Sequence, residues 1–197
     1  MVELTTREDL DRVVELMSGF PHPWGIGGGW ALDLFLGRET RVHEDLEIIL
    51  FRDTQHAFRE FFLNAGFEMV GKPGTSPQWM PWPEGFTVEL PFHQIRANLP
   101  DGVQVEALMN ERRDGQYLFR RNPTLTRPEG SIWLWSDAGA PFLAPEIQLL
   151  YKARHHREKD ERDFATVTPH LGATQRQWFR DALARAHPDD PWLTRLV

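Results

Sequence analysis

The chain has no cysteine among its 197 residues. That excludes disulfide staples, thiol nucleophiles and cysteine-ligated zinc together, and it accords with a reducing compartment. No apolar run approaches the ~20 residues that a bilayer-spanning helix needs. The first residues, Met1 to Asp9, are acidic and lack the apolar centre of a signal peptide, so a cytoplasmic chain with no membrane partner is expected. Positive charge is also in deficit. A net charge of −7 argues against an extended nucleic-acid surface, which works by neutralising many phosphates with Lys and Arg. Internal repeats and low-complexity tracts are missing as well.

What is present is ample material for a core. Apolar residues make up 41% and aromatics 12%, with eight tryptophans, enough for large buried surfaces or a ligand groove. Thr6-Arg7-Glu8-Asp9 reads as a helix cap, with Leu10, Val13, Val14 and Met17 following at helical spacing. A short strand ending near Ile26 runs into glycines, and Trp30–Leu36 predicts a helix closed at Gly37. A strand is expected over Asp45–Phe51 and a helix over Thr54–Asn64. Then come short β runs at Phe67–Val70, Phe86–Leu90, His93–Ala97, Val103–Leu108 and Tyr117–Phe119, with a proline-rich loop over Pro73–Gly85. Helices return at Pro145, over Lys159–Val167 and over Thr174–Ala186. The expected class is α+β, a mixed β-sheet flanked by helices with a C-terminal helical segment. The soft boundary near Ala140–Pro145 gives residues 1–142 and 143–197.

Two local patterns carry chemistry. Trp24-Gly25-Ile26-Gly27-Gly28-Gly29-Trp30 places a glycine turn at the start of a helix, where unpaired N–H groups and the helix dipole attract phosphate. Asp45 and Glu47 stand two apart on the following strand and so share one face. A third carboxylate comes from Glu106, which interrupts the apolar run Val103–Leu108, or from Glu89 in Thr87-Val88-Glu89-Leu90. Such a trio suits Mg²⁺, which takes a few carboxylates plus phosphate oxygens and water. The plainer readings are a solvent-facing strand and an ordinary tight turn. Against the first, the Asp45/Glu47 face continues into Ile49. Two adjacent histidines, His155 and His156, do not share a helix face and read as exposed residues, not as a metal site.

The string Ile26-Gly27-Gly28-Gly29-Trp30-Ala31-Leu32-Asp33 followed by Leu36-Gly37-Arg38-Glu39-Thr40-Arg41-Val42-His43-Glu44-Asp45-Leu46-Glu47 resembles the nucleotidyltransferase superfamily of the DNA polymerase β type. It looks most like the aminoglycoside 2″-adenylyltransferase group and the related lincosamide nucleotidyltransferases. The resemblance implies that Gly28 and Gly29 contact a triphosphate, that Asp45 and Glu47 bind metal, and that Glu106 is the third carboxylate. The segment Leu143–Arg154 with Arg157–Phe164 resembles the helical part of these proteins. By that likeness Lys152 meets the phosphates, supported by Lys159 and Asp160. Glu stands at 47 and 106 where members with established resistance activity usually carry Asp.

The implied activity is Mg²⁺-dependent transfer, with two ions, of a nucleoside monophosphate from ATP or another NTP to a hydroxyl of a small molecule. Pyrophosphate is released. An aminoglycoside-like acceptor would suit an acidic cleft, to which Glu84, Asp101, Glu111 and Asp114 are candidate contributors. The alternatives are nucleotidylation of a protein or RNA acceptor, as in toxin–antitoxin relatives, and a catalytically weakened module that binds a nucleotide or a partner. A monomer or homodimer is expected.

Overall fold

The computed structural model describes residues 4–71, 78–99 and 102–196. Helix α1 (Arg7–Met17) begins as the cap pattern requires: the Thr6 side chain accepts from the Asp9 N–H, and the Asp9 carboxylate accepts from the Thr6 N–H. Its apolar stripe of Leu10, Val13 and Met17 is buried. Strand β1 (Trp24–Ile26) feeds α2 (Gly28–Leu36), which Gly37 closes with a left-handed φ of 66°. Then come β2 (Glu47–Phe51), a 3-10 turn over Arg52–Thr54, and α3 (Gln55–Phe61). Strands β3 (Gly66–Gly71), β4 (Gln78–Pro81), β5 (Gln94–Asn98), β6 (Gln104–Arg113) and β7 (Gln116–Leu118) follow. After them lie β8 (Thr126–Pro128), β9 (Trp133–Trp135), β10 (Pro141–Leu143), α4 (Pro145–Lys152), α5 (Glu158–Val167) and α6 (Ala173–Ala186).

All ten strands join one mixed sheet. Its main path is β4-β3-β5-β6-β2-β1-β10-β9, with β7 and β8 branching from β6. Among the described residues only β1–β10 and β2–β6 run parallel. This is the expected α+β arrangement. Ile48 and Leu50 pack into the core that includes α1 and α3, while Ile49 and Phe51 pack into the core formed with α4–α6. Strand β2 is therefore buried on both faces, which explains why the Asp45/Glu47 face turns apolar at Ile49: the C-terminal helices cover it.

Several boundaries differ from the sequence reading. Strand β2 starts at Glu47, not Asp45, because the preceding residues are fastened by the N-terminal arm: Thr5 donates from its N–H to the His43 carbonyl (2.9 Å) and from its hydroxyl to the Asp45 carbonyl (3.3 Å). Helix α3 stops at Phe61. Phe86–Leu90 is not a strand, since the Val88 backbone is bonded by Gln55 and Arg52 side chains instead of a ladder partner. The expected loop over Pro73–Gly85 contains β4, and its first part, through Pro77, lies outside the described residues. No helix among the described residues is long and apolar enough to cross a membrane.

Candidate active site

The glycine turn is built against β2. The Gly27 N–H donates to the Glu47 carbonyl (2.8 Å), and the Gly28 N–H donates to Oε1 of Gln148 on α4 (2.9 Å). Gly28 has φ 64°, a conformation that penalises side chains, and a Cβ there would collide with the Glu47 carboxylate. A Cβ on Gly29 would strike the Arg41 guanidinium and the His43 ring. Close approach of charged side chains, not turn geometry alone, explains these two glycines.

The carboxylates gather on one face of the sheet. Glu47 and Glu106 are direct partners across the parallel β2–β6 pair, and Asp45 lies just ahead of the ladder. The Glu47 carboxyl is pushed up to about 7, first by burial and then by the negative charge of Asp45; Glu106 adds to the push, while Lys152 and Lys159 oppose it. The Glu106 carboxylate accepts from Arg96 at 2.9 Å, and that guanidinium lies 3.9 Å above the Trp79 ring. Glu89 is exposed in the irregular segment before β5, so of the two candidates it is Glu106 that stands beside Glu47. Among the described residues no three His, Asp or Glu side chains converge into a ready-made metal cage.

Facing the acids is a buried network of ion pairs. Lys152 Nζ is 2.8 Å from Asp163 and 3.4 Å from Asp160. Arg41 forks onto both Asp163 oxygens (2.9 and 3.2 Å), and Arg157 forks onto Asp160. Burial alone would raise Asp163, but the Arg41 hydrogen bond and Lys152 hold it below the usual carboxylate range. Lys159 reaches Glu44 at 3.1 Å. Behind the turn, the His43 ring meets Asp33 at 2.6 Å, and Asp33 also accepts from Thr40.

The family model for aminoglycoside-2″-adenylyltransferase matches residues 9–167, which contain every residue of this arrangement. The chain belongs to that family. Members of this adenylyltransferase family are nucleotidyltransferases, and the chain's structural likenesses are of the same kind. It is similar to ANT(2″)-Ia in complex with adenylyl-2″-tobramycin (15% identity, TM-score 0.60, covering 91% of this chain and 99% of that one). It is similar also to lincomycin-bound lincosamide antibiotic adenylyltransferase LnuA (17% identity, TM-score 0.58, covering 84% and 98%). A third likeness is an antigenic nucleotidyltransferase-like protein from Paracoccidioides brasiliensis (18% identity, TM-score 0.51, covering 98% and 94%). No curated protein sequence matches.

In this adenylyltransferase-family chain two openings lie at the acids, one lined by Asp45 and Glu106 and the other by Glu47. One opening is lined by Asp9, Glu44, Asp45 and Glu106, with Arg96 the cation among them. The other, a cavity of about 150 Å³, is lined by Lys152, Arg120, Arg121, Arg157 and His93, with Glu47 the one acid among its described lining residues. Of the loop acids expected in an acceptor cleft, Glu84, Glu111 and Asp114 line neither opening. Glu111 is held by Arg52 at 2.6 Å, Glu84 and Asp114 are exposed away from both openings, and Asp101 lies outside the described residues. His156 is not a free surface residue, because its ring bonds Glu161 and Asp190, both at 2.9 Å. Sequence reasoning missed Gln148, Arg41 and Asp163. Gln148 and Lys152 lie four apart on α4, and Asp160 and Asp163 three apart on α5, spacings that put each pair on one helix face.

Proposed function

We propose that this protein transfers a nucleoside monophosphate, from ATP or another NTP, to a hydroxyl of a small aminoglycoside-like molecule and releases pyrophosphate. The observation that carries the reading is the position of Glu47. Its carboxylate presses against Gly28, Asp45 and Glu106 flank it, and Lys152 bears on it from α4. A carboxyl raised toward neutrality by burial, and further by two neighbouring acids, belongs to a donor set that a divalent cation relieves. Mg²⁺ needs only one or two protein carboxylates beside phosphate oxygens and water, so the lack of a closed cage fits it. Asp45 and Glu47 would hold the ions, with Glu106 joining once Arg96 releases it; bound Mg²⁺ supplies charge neutralisation at the phosphates and acidifies the acceptor hydroxyl.

The chain's own groups do the rest. Gly28 and Gly29 let the triphosphate approach the start of α2, and Lys152 and Lys159 supply positive charge beside it. Glu106 accepts the proton of the acceptor hydroxyl. The acidic opening, with Asp9, Glu44 and Asp45, suits a polycationic acceptor. Residues 1–142 act as the nucleotidyltransferase unit and 143–197 as the helical region that closes on it. A second reading, nucleotide binding without turnover, is favoured by one observation: the Arg96–Glu106 pair occupies the third carboxylate.

Incubating the protein with α-labelled NTPs, MgCl₂ and a panel of aminoglycosides and lincosamides separates the two. Label transferred to an acceptor with stoichiometric pyrophosphate supports the first reading. Mg²⁺-dependent nucleotide binding without transfer supports the second, and absence of any such binding overturns both.

A further inference from the structure

The cavity on the Lys152 side of Glu47 is walled by two arginines that pair with no carboxylate among the described residues. Arg120 and Arg121 follow β7, and their guanidinium groups lie over the Tyr151 ring at 5.6 and 5.2 Å. That ring is fixed from below, since its hydroxyl donates to Asn110 (2.7 Å) and meets the Tyr117 hydroxyl (2.9 Å). Arg121 donates one Nη1 bond to the Tyr151 carbonyl, one residue from Lys152, while its buried Nε has no partner among the described residues. The cations act on one another: burial, then Arg120 and Arg154, push Arg121 down to about 10. His93, on the facing wall, is pushed to about 4 by burial and Arg120, and so stays neutral.

Half-buried cations held together without counter-charge are costly in a chain that has acids to spare. The missing charge therefore comes from a ligand. We propose that Arg120 and Arg121, together with Lys152, form a cradle for the pyrophosphoryl group of the nucleoside triphosphate. The proposal rests on the nucleotidyl-transfer reading and adds a direction to it: the leaving group sits toward β7 and α4, and the acceptor enters through the acidic opening. As the acceptor oxygen bonds to the α-phosphorus, the bond from that phosphorus to the bridging oxygen breaks. The electron pair leaves with the pyrophosphate and the acceptor proton goes to Glu106. Negative charge accumulates on the departing group, where two forked donors and an ammonium are waiting. Arg120 and Arg121 are positioning residues for that group.

Calorimetric titration of the full chain with pyrophosphate, ATP and AMP, each with Mg²⁺, tests the cradle. Arg120→Gln and Arg121→Gln should each weaken pyrophosphate and ATP roughly tenfold or more, the size expected for a charge-assisted hydrogen bond, and AMP less than twofold. Arg121→Lys should recover part of the loss. Arg120→Gln should melt no lower than wild type, because it relieves repulsion. Folded variants that bind pyrophosphate within twofold of wild type overturn the cradle. If they also raise the KM of the acceptor alone, the counter-charge belongs to an anionic acceptor. A wild-type protein that binds neither ATP nor pyrophosphate overturns instead the nucleotidyl-transfer reading beneath it.

Discussion

Replacing Glu47 by glutamine removes one charge and almost no volume, so it isolates what ionisation at the centre of the site costs the fold. The Glu47 carboxyl stands at about 7 against an ordinary 4.5, with burial the largest cause and Asp45 the next. A raised carboxylate pKa means that the folded state holds its proton where the unfolded chain has lost it. The penalty is absent below pH 4.5, grows as pH rises between 4.5 and 7, and is complete above 7. The shift of roughly 2.5 units corresponds to at most about 3 kcal/mol. Glu47 keeps some contact with water at the cleft, which lowers the expected value to about 1–3 kcal/mol. For a chain of this length that is roughly 2–10 °C in melting temperature.

The assay is thermal or urea unfolding of wild type and Glu47→Gln from pH 4.5 to 8.5, in EDTA and then with Mg²⁺ and nucleotide. In EDTA the variant should overtake wild type as pH climbs through 5–7 and remain the more stable above it. Mg²⁺ with nucleotide should reverse the order, because bound ligand stabilises only the state that holds it, and turnover should vanish in the variant. A Glu47→Gln protein less stable than wild type at pH 8 without metal would refute the reasoning. So would a stability difference that does not vary with pH.

Gly28→Ala should lose about 2 kcal/mol or more in urea unfolding, combining a left-handed backbone with a methyl driven into the Glu47 carboxylate. Glu106→Gln should cut turnover by at least tenfold while leaving nucleotide affinity within a few-fold, read by separating kcat from KM. Lys152→Met should cost only about 1–2 kcal/mol of stability, below the 3–5 typical of a broken buried pair, yet should weaken ATP binding at least tenfold. His156 is raised above its ordinary range: burial pulls it down, but the hydrogen bonds its ring donates to Glu161 and Asp190 outweigh that. Its contribution is therefore full below pH 6.5 and lost as pH rises through the raised value. The melting-temperature gap between wild type and His156→Ala should narrow from pH 6 to pH 9.

The parts of this molecule that local spacing encodes are readable from the chain. The cap at Thr6, the close of α2 at Gly37, the glycine turn and the Asp45/Glu47 pair all depend on residues within a few positions of one another. Glu106 was visible because a charge interrupts an apolar strand, but that it lies beside Glu47, as Glu89 does not, depends on the β2–β6 register. The strands that escaped are β4, β8, β9 and β10. Each is three or four residues long, and three carry a proline (Pro81, Pro128, Pro141) that reads as loop punctuation. β4 and β9 are the two ends of the sheet path, where few ladder bonds are asked of them. Arg41, Gln148 and Asp163 were not legible as site residues, because what defines them is a contact across 120 or more positions.

That long-range network also bears on the phosphate role proposed for Lys152. A lysine buried between two aspartates is ordinarily committed to them, and drawing it away leaves charges unpaired in a dry interior. Here each aspartate has a second cation: Arg41 forks onto Asp163 and Arg157 forks onto Asp160. Were Lys152 to turn toward a triphosphate, neither carboxylate would be abandoned. The same arrangement ties together the loop that carries Arg41 between the glycine turn and the acids, the end of α4, and α5. An apolar trio of equal volume would pack these segments as well, but it would place no ammonium opposite Glu47. The network thus contributes position more than stability, which is why the Lys152→Met variant should remain folded while losing its grip on the nucleotide.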